Sequence, residues 1–213
     1  MPRKSYDGAI RNKERTKNKL LDAVGQIIRK EGYTGLKLKK IVDLAGVDRK
    51  ILYTYFGSIE NLVETYIRQR DYYMGFADQA KKLVKEHEGK NGKELVQKLL
   101  VEQLEHFSID EDMQQILIWH ISEGNPILSG ISEERERIGS IFLRLLDRHF
   151  EHSNVDVRAR LALIISGIYF LVLYAKKTKG LFCEIDLNTK DGMERIKRAI
   201  QDLIEETFEL DQN

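Results

Sequence analysis

The chain has 213 residues, 42% hydrophobic and 32% charged, which allows one compact domain or two small ones with a sizeable core and excludes a disordered polymer. Its single cysteine, Cys183, excludes an internal disulfide and fits a reducing cytosol, and its two prolines, Pro2 and Pro126, leave long segments that suit an all-helical chain. The net charge of +1 hides an asymmetry: residues 1–60 hold 14 Lys and Arg against 7 Asp and Glu, residues 61–213 hold 21 against 27, and only the first part has the charge of a nucleic-acid binder.

In chain order, residues 1–11 are expected to be disordered. Arg3, Lys4, Arg11, Lys13, Arg15, Lys17 and Lys19 form a basic arm able to reach phosphate or the minor groove. Residues 1–19 contain no apolar core of signal-peptide type, so a cytoplasmic protein is expected. A first helix is predicted over Asn12–Lys30, with Leu20, Leu21, Val24, Ile27 and Ile28 as its core stripe and Gly32 ending it. Leu36 to Phe56 then reads as two short helices and a tight turn. Ile41, Val42 and Ala45 share one face of the first of these. Gly46 stands where a left-handed backbone is needed, and Asp48 is placed to cap the next helix. In that helix Leu52 and Phe56 point inward, and Arg49, Lys50, Tyr53 and Thr54 share the other face. A short helix presenting cations, a phenol and a hydroxyl suits a DNA major groove.

A long fourth helix is predicted from Ser58 to about His87, with Leu62, Tyr66, Tyr73, Phe76 and Ala80 at helical spacing. A turn at Gly89–Gly92 follows, then helices over 93–107, 110–123 and 130–151, with a break at Gly124-Asn125-Pro126. Leu161 to Ala175 is the most apolar stretch. It is shorter than the roughly 20 residues a bilayer span needs, and a helix apolar on all sides in a soluble chain requires a cover besides its own core. A second copy of the chain is the expected cover, and no membrane partner is expected. The last helix, Lys190 to about Leu210, carries Met193, Ile196, Ile200, Leu203 and Phe208 as a stripe.

Leu21 and Ala23, Glu31-Gly32-Tyr33, Ile41 and Val42, Ala45-Gly46-Val47-Asp48, Leu52-Tyr53-Thr54-Tyr55-Phe56, and Ser58 with Glu60 and Leu62 occur in an order and spacing that resembles the DNA-binding domain of the TetR/AcrR transcriptional regulators. The likeness spans residues 16–62, under a quarter of the chain. It implies an all-α fold, with a basic arm and three-helix DNA-binding domain containing a helix-turn-helix over residues 1–57. A larger helical effector-binding and dimerisation domain would occupy residues 58–213. It further implies a regulator, expected to be a repressor, that binds double-stranded DNA at a palindromic operator as a homodimer under the control of a small apolar or aromatic molecule. The DNA-contacting residues would be Lys37, Arg49, Lys50, Ile51, Tyr53, Thr54 and Tyr55; Tyr53 and Tyr55 could instead be half-buried core residues. Four positions depart from the family pattern. Leu36-Lys37 replaces a Thr/Ser pair, Lys50 a small residue, Ile51 a hydroxyl, and Ile59 a lysine.

Candidates for the effector site are Tyr66, Tyr73, Phe107, Met113, Trp119, Phe142, Phe170 and Tyr174, with His120 as a polar handle. Aromatics at such spacing also occur as plain core. Candidates for the dimer contact are Ile164, Ile168, Leu171, Ile196, Ile200 and Leu203, as two helices of a four-helix bundle. Catalytic signatures are missing: there is no Gly-x-Ser-x-Gly, no Gly-rich phosphate loop and no His-Glu-x-x-His. The five histidines are scattered. Neither catalysis, nor a cofactor, nor a metal is expected. The competing reading is a helical protein-interaction module, or a ligand-binding protein without operator recognition.

Overall fold

A computed structural model describes residues 7–71, 80, 82–87, 92–123 and 126–212 of the chain. In chain order the helices are α1 (Asp7–Glu31), α2 (Leu38–Ala45), α3 (Arg49–Phe56), α4 (Ile59–Arg70), α5 (Lys93–Ile109), α6 (Glu111–Ser122), α7 (Pro126–His149), α8 (Val157–Thr178) and α9 (Lys190–Glu209). A 3-10 turn over Tyr33–Gly35 separates α1 from α2. The chain is all-α; the described residues include one isolated antiparallel bridge, between Phe182 and Ile185.

The helices fall into two compact units, residues 1–74 with 111–133 and residues 75–110 with 134–213. The boundary expected between residues 57 and 58 therefore lies inside the first unit. The reason is that α1 packs against α2, α4 and α6, so elements far apart in sequence share one core. Helix α1 begins at Asp7 rather than Asn12, so residues 7–11, expected to be disordered, are helical. Its stripe of Leu20, Leu21, Val24, Ile27 and Ile28 is buried, together with Ile41, Ala45, Leu52, Leu62, Val63 and Ile67. Gly25 makes room for α4: a Cβ there would stand 2.9 Å from the ring of Tyr66.

The same unit has a polar centre. Asp112, 4% exposed, accepts both oxygens' worth of hydrogen bonds from Arg29 Nη1, at 2.7 and 2.8 Å, and one from the Tyr66 hydroxyl at 2.5 Å. This carboxylate joins α6 to α1 and α4. Burial, and then the bond to Asp112, hold the Tyr66 phenol well above its usual pKa. Farther along α6, Trp119 stacks on Tyr33 at 5.1 Å and 5°, and the Tyr33 hydroxyl donates to Glu123.

The fourth helix is shorter than expected. Asp71 turns extended (φ −67°, ψ 114°) and ends α4 at Arg70. An aspartate competes with the helix for backbone hydrogen bonds. Tyr73, Phe76, the Gly89 side of the expected turn, and Gly124-Asn125 lie outside the described residues.

In the second unit α5 is the middle helix, packed against both α8 and α9. Ion pairs Lys93–Glu205 (2.6 Å) and Glu105–Lys197 (2.5 Å) run α5 antiparallel to α9. On its α8 side Phe107 meets Tyr169 edge-on at 5.0 Å. The buried stripe of α8 is Val157, Leu161, Ile168, Val172 and Ala175.

Candidate nucleic-acid interface

The chain leaves α2 through Gly46, whose φ of 63° and ψ of 40° are left-handed. The Gly46 and Val47 amides donate back to the carbonyls of Asp43 and Val42, at 3.2 and 3.1 Å, closing the helix end. Two residues later Asp48 Oδ1 accepts from the Lys50 amide at 2.7 Å and starts α3. At the far end the Ser58 hydroxyl accepts from the Asn61 amide at 3.0 Å, and the Asn61 side chain donates to the Phe56 carbonyl at 2.9 Å. These local bonds fix the start of α3 against α2 and its end against α4. Leu52, with no exposed surface, nails its inner face to the core.

The outer face then has no choice of direction. Arg49, Lys50, Tyr53 and Thr54 are exposed. The Arg49 guanidinium lies 5.4 Å from the Tyr53 ring centre, and its Nη2 donates to the Tyr53 hydroxyl at 3.4 Å. Cation and phenol are thus presented as one polar unit. Thr54 donates its hydroxyl to the Lys50 carbonyl at 2.8 Å, leaving its oxygen lone pairs outward. Ile51, Tyr55 and Phe56 are half-buried. Lys37 is exposed at the start of α2 and gives no side-chain cap bond, as the absent Thr/Ser hydroxyl leads one to expect.

Sequence reasoning missed one neighbour. Lys13 Nζ of α1 sits 5.6 Å from the Tyr55 ring centre, so the basic arm begins beside α3. No local pattern connects residues 13 and 55; the packing of α1 does. Lys40, in contrast, is engaged by Glu31.

Residues 20–66 match the family model of the bacterial regulatory proteins, tetR family. Over that segment, which holds α2, α3, the C-terminal part of α1 and most of α4, the chain is similar to the DNA-binding part of those regulators. None of the curated proteins matches the sequence. Among solved structures, the fold is similar to the fatty acid degradation regulator FadR from Bacillus halodurans, at 18% identity over 87% of this chain and 94% of that one, with TM-score 0.59. It is similar to FadR from Bacillus subtilis in complex with stearoyl-CoA, at 17% identity over 88% and 96%, with TM-score 0.60. It is also similar to GusR from Salmonella enterica, at 15% identity over 89% and 95%, with TM-score 0.54. At such identities the likeness is one of fold.

The described effector candidates divide between the two units. In the first unit Tyr66, Met113 and Trp119 are buried, Tyr66 committed to Asp112 and Trp119 to Tyr33. His120 is half-buried, with its Nδ1 3.1 Å from the Ser132 hydroxyl. In the second unit Phe107 is buried and Phe142 half-buried. Phe170 is 51% exposed and groups with Tyr174 and Phe182. Among the dimer candidates, Ile168 and Ile200 are buried within their own unit, at 2% and 4% exposure. Ile164, Leu171 and Ile196 are half-buried, and Leu203 is 47% exposed. The open apolar positions are instead Leu163 (74%) and Phe170 on α8, and Leu203 and Leu210 at α9. A helix apolar all round does not announce which stripe its own core takes. Among the described residues no cluster of three His, Cys, Asp or Glu side chains could hold a metal ion.

Proposed function

We propose that this protein is a transcriptional repressor that binds a palindromic operator as a homodimer and is controlled by a small apolar or aromatic ligand. The observation that carries the DNA part is the outer face of α3, where Arg49, Lys50, Tyr53 and Thr54 are all exposed behind a left-handed turn and two local caps. Arg49 and Lys50 open the recognition helix, where side chains reach base edges. Lys37, Tyr53 and the half-buried Tyr55 serve phosphate, Thr54 serves either, and Ile51 offers a methyl contact for thymine at its uncovered edge.

Helix α8 supports the dimer. Its most apolar window has a mean hydropathy of 1.7, yet only 22% of it is buried. By length and composition it could cross a membrane, but its inner stripe already packs on α5. The uncovered stripe then needs an apolar partner, and a second copy of α8 and α9 supplies one of matching kind. Two-fold symmetry would hold two recognition helices about 34 Å apart, one turn of B-DNA. The Bacillus subtilis neighbour was solved with stearoyl-CoA, a ligand with a long apolar part. That agrees with an apolar ligand among the C-terminal helices here.

Selection from a random-sequence duplex pool at moderate salt tests the reading. A palindromic or near-palindromic consensus is expected, protected by wild type and not by Lys50→Ala/Tyr53→Ala, with the dimer content of that variant unchanged. An undiminished footprint with the double variant sinks the assignment.

A further inference from the structure

Among the described residues, Gln103 is a buried polar side chain with an unmatched amide nitrogen. It lies on α5, the helix on which both α8 and α9 pack, and is 5% exposed. Its Nε2 has no hydrogen-bond partner among the described residues. The other buried polar side chains among the described residues are engaged. Asp112 holds Arg29 and Tyr66, Ser108 donates to the Glu105 carbonyl, Thr207 donates to the Leu203 carbonyl, and Asp71 and Gln114 have interactions of their own. The other orphaned nitrogen, His149 Nε2, has the Asp211 carboxylate 3.3 Å away. Buried amides in folded proteins are nearly always hydrogen-bonded, because an unmatched one forfeits its bonds to water without return.

The buried residues one turn from Gln103 along α5 are apolar. Leu100 and Phe107 lie three and four residues away on the same face of α5, at 4% and 7% exposure. Phe107 is edge-on to Tyr169 of α8. An amide N–H in an apolar wall is how a small-molecule site orients its ligand. We propose that Gln103 is the polar contact of the effector site, its side-chain amide donating to a neutral carbonyl oxygen of an otherwise apolar ligand. A ketone, ester or thioester fits this chemistry. A carboxylate does not, because a neutral amide alone cannot offset the desolvation of a full charge. The proposal rests on the reading of an apolar effector among the C-terminal helices.

The test uses the full-length protein and three probes of one size: acetophenone, ethylbenzene and benzoate at pH 8. Dissociation constants come from titrations followed by NMR, for wild type and Gln103→Met, a change close in shape. Wild type is expected to bind acetophenone about tenfold more tightly than ethylbenzene, one buried hydrogen bond's worth, and benzoate most weakly. Gln103→Met is expected to bind both neutral probes alike, with ethylbenzene affinity unchanged and a thermal midpoint at or above that of wild type. If wild type does not prefer the ketone, or Gln103→Met keeps the preference, the proposal falls and the apolar-effector reading stands. A lowered midpoint in Gln103→Met would also overturn it, by showing the amide to be matched inside the fold. If neither neutral probe binds wild type, both readings fall together.

Discussion

Lys37 opens α2 with extended backbone and no side-chain bond to the free amides of the first turn. A threonine there would accept one of them, and N-cap hydroxyls stabilise a helix by about 1 kcal/mol. Lys37→Thr is therefore expected to raise urea-unfolding stability by about that amount. It also removes one cation, so DNA affinity should become less sensitive to salt by about one unit of slope. Gly46 and Gly25 separate two reasons for glycine. A Cβ at Gly46 would meet nothing within 4 Å, and only its φ of 63° resists a side chain. Gly46→Ala should cost about 1–2 kcal/mol through the backbone alone. Gly25 has ordinary helical backbone, but its Cβ would press on the Tyr66 ring 2.9 Å away. Gly25→Ala should cost about 1–3 kcal/mol by overpacking. Chemical unfolding of the two variants checks both, and adding Tyr66→Leu should recover part of the Gly25→Ala loss and none of the Gly46→Ala loss.

At the scale of elements, α6 is attached to α1 and α4 by one buried carboxylate. Asp112→Ala would strand the Arg29 guanidinium and the Tyr66 hydroxyl. Breaking a fully buried pair costs about 3–5 kcal/mol. Arg29 keeps 38% of its side chain in solvent, which reduces the expectation to about 1–3 kcal/mol. Amide exchange should rise along α6 and the C-terminal end of α1 before it rises in α3, whose caps are local. Tyr66 adds a pH dependence. Its pKa is raised in the fold, so the stability it contributes is complete below the unfolded value of about 10 and is lost as pH climbs past that value. Wild type should therefore weaken above about pH 10 more steeply than Tyr66→Phe in urea titrations at a series of pH values.

For the whole molecule, the proposed dimer rests on exposed residues of α8 and α9. Leu163 and Leu203 project apolar surface that the chain itself does not cover. Leu163→Glu with Leu203→Glu is expected to halve the mass seen by sedimentation, from twice 24.8 kDa to that value, without loss of helix content. Operator affinity should fall by far more than half, since each half-site would then be held alone. Ile168→Val, at a position buried in its own unit, should leave the mass unchanged and cost about 0.5–1.5 kcal/mol of stability.

How much of this was legible beforehand follows the range of the forces involved. The turn at Gly46, the cap at Asp48, the anchor at Leu52 and the outward face of α3 could all be read from neighbours within a few residues, because dihedral preference, capping and helical periodicity act over that distance. The α1 stripe was legible for the same reason. The span of α1 back to Asp7 and the end of α4 at Asp71 were not. Helix ends are balances of small terms, and the helices packed on them tip the balance. The Arg29–Asp112–Tyr66 junction joins residues up to 83 positions apart, and nothing local marks it. Nor could periodicity choose the outward stripe of α8, since every stripe of that helix is apolar. Which apolar residues stay exposed on α8 and α9, and that the Gln103 amide nitrogen has no partner among the described residues, were settled only when α5, α8 and α9 came together, because burial is a property of the packed arrangement rather than of any segment within it.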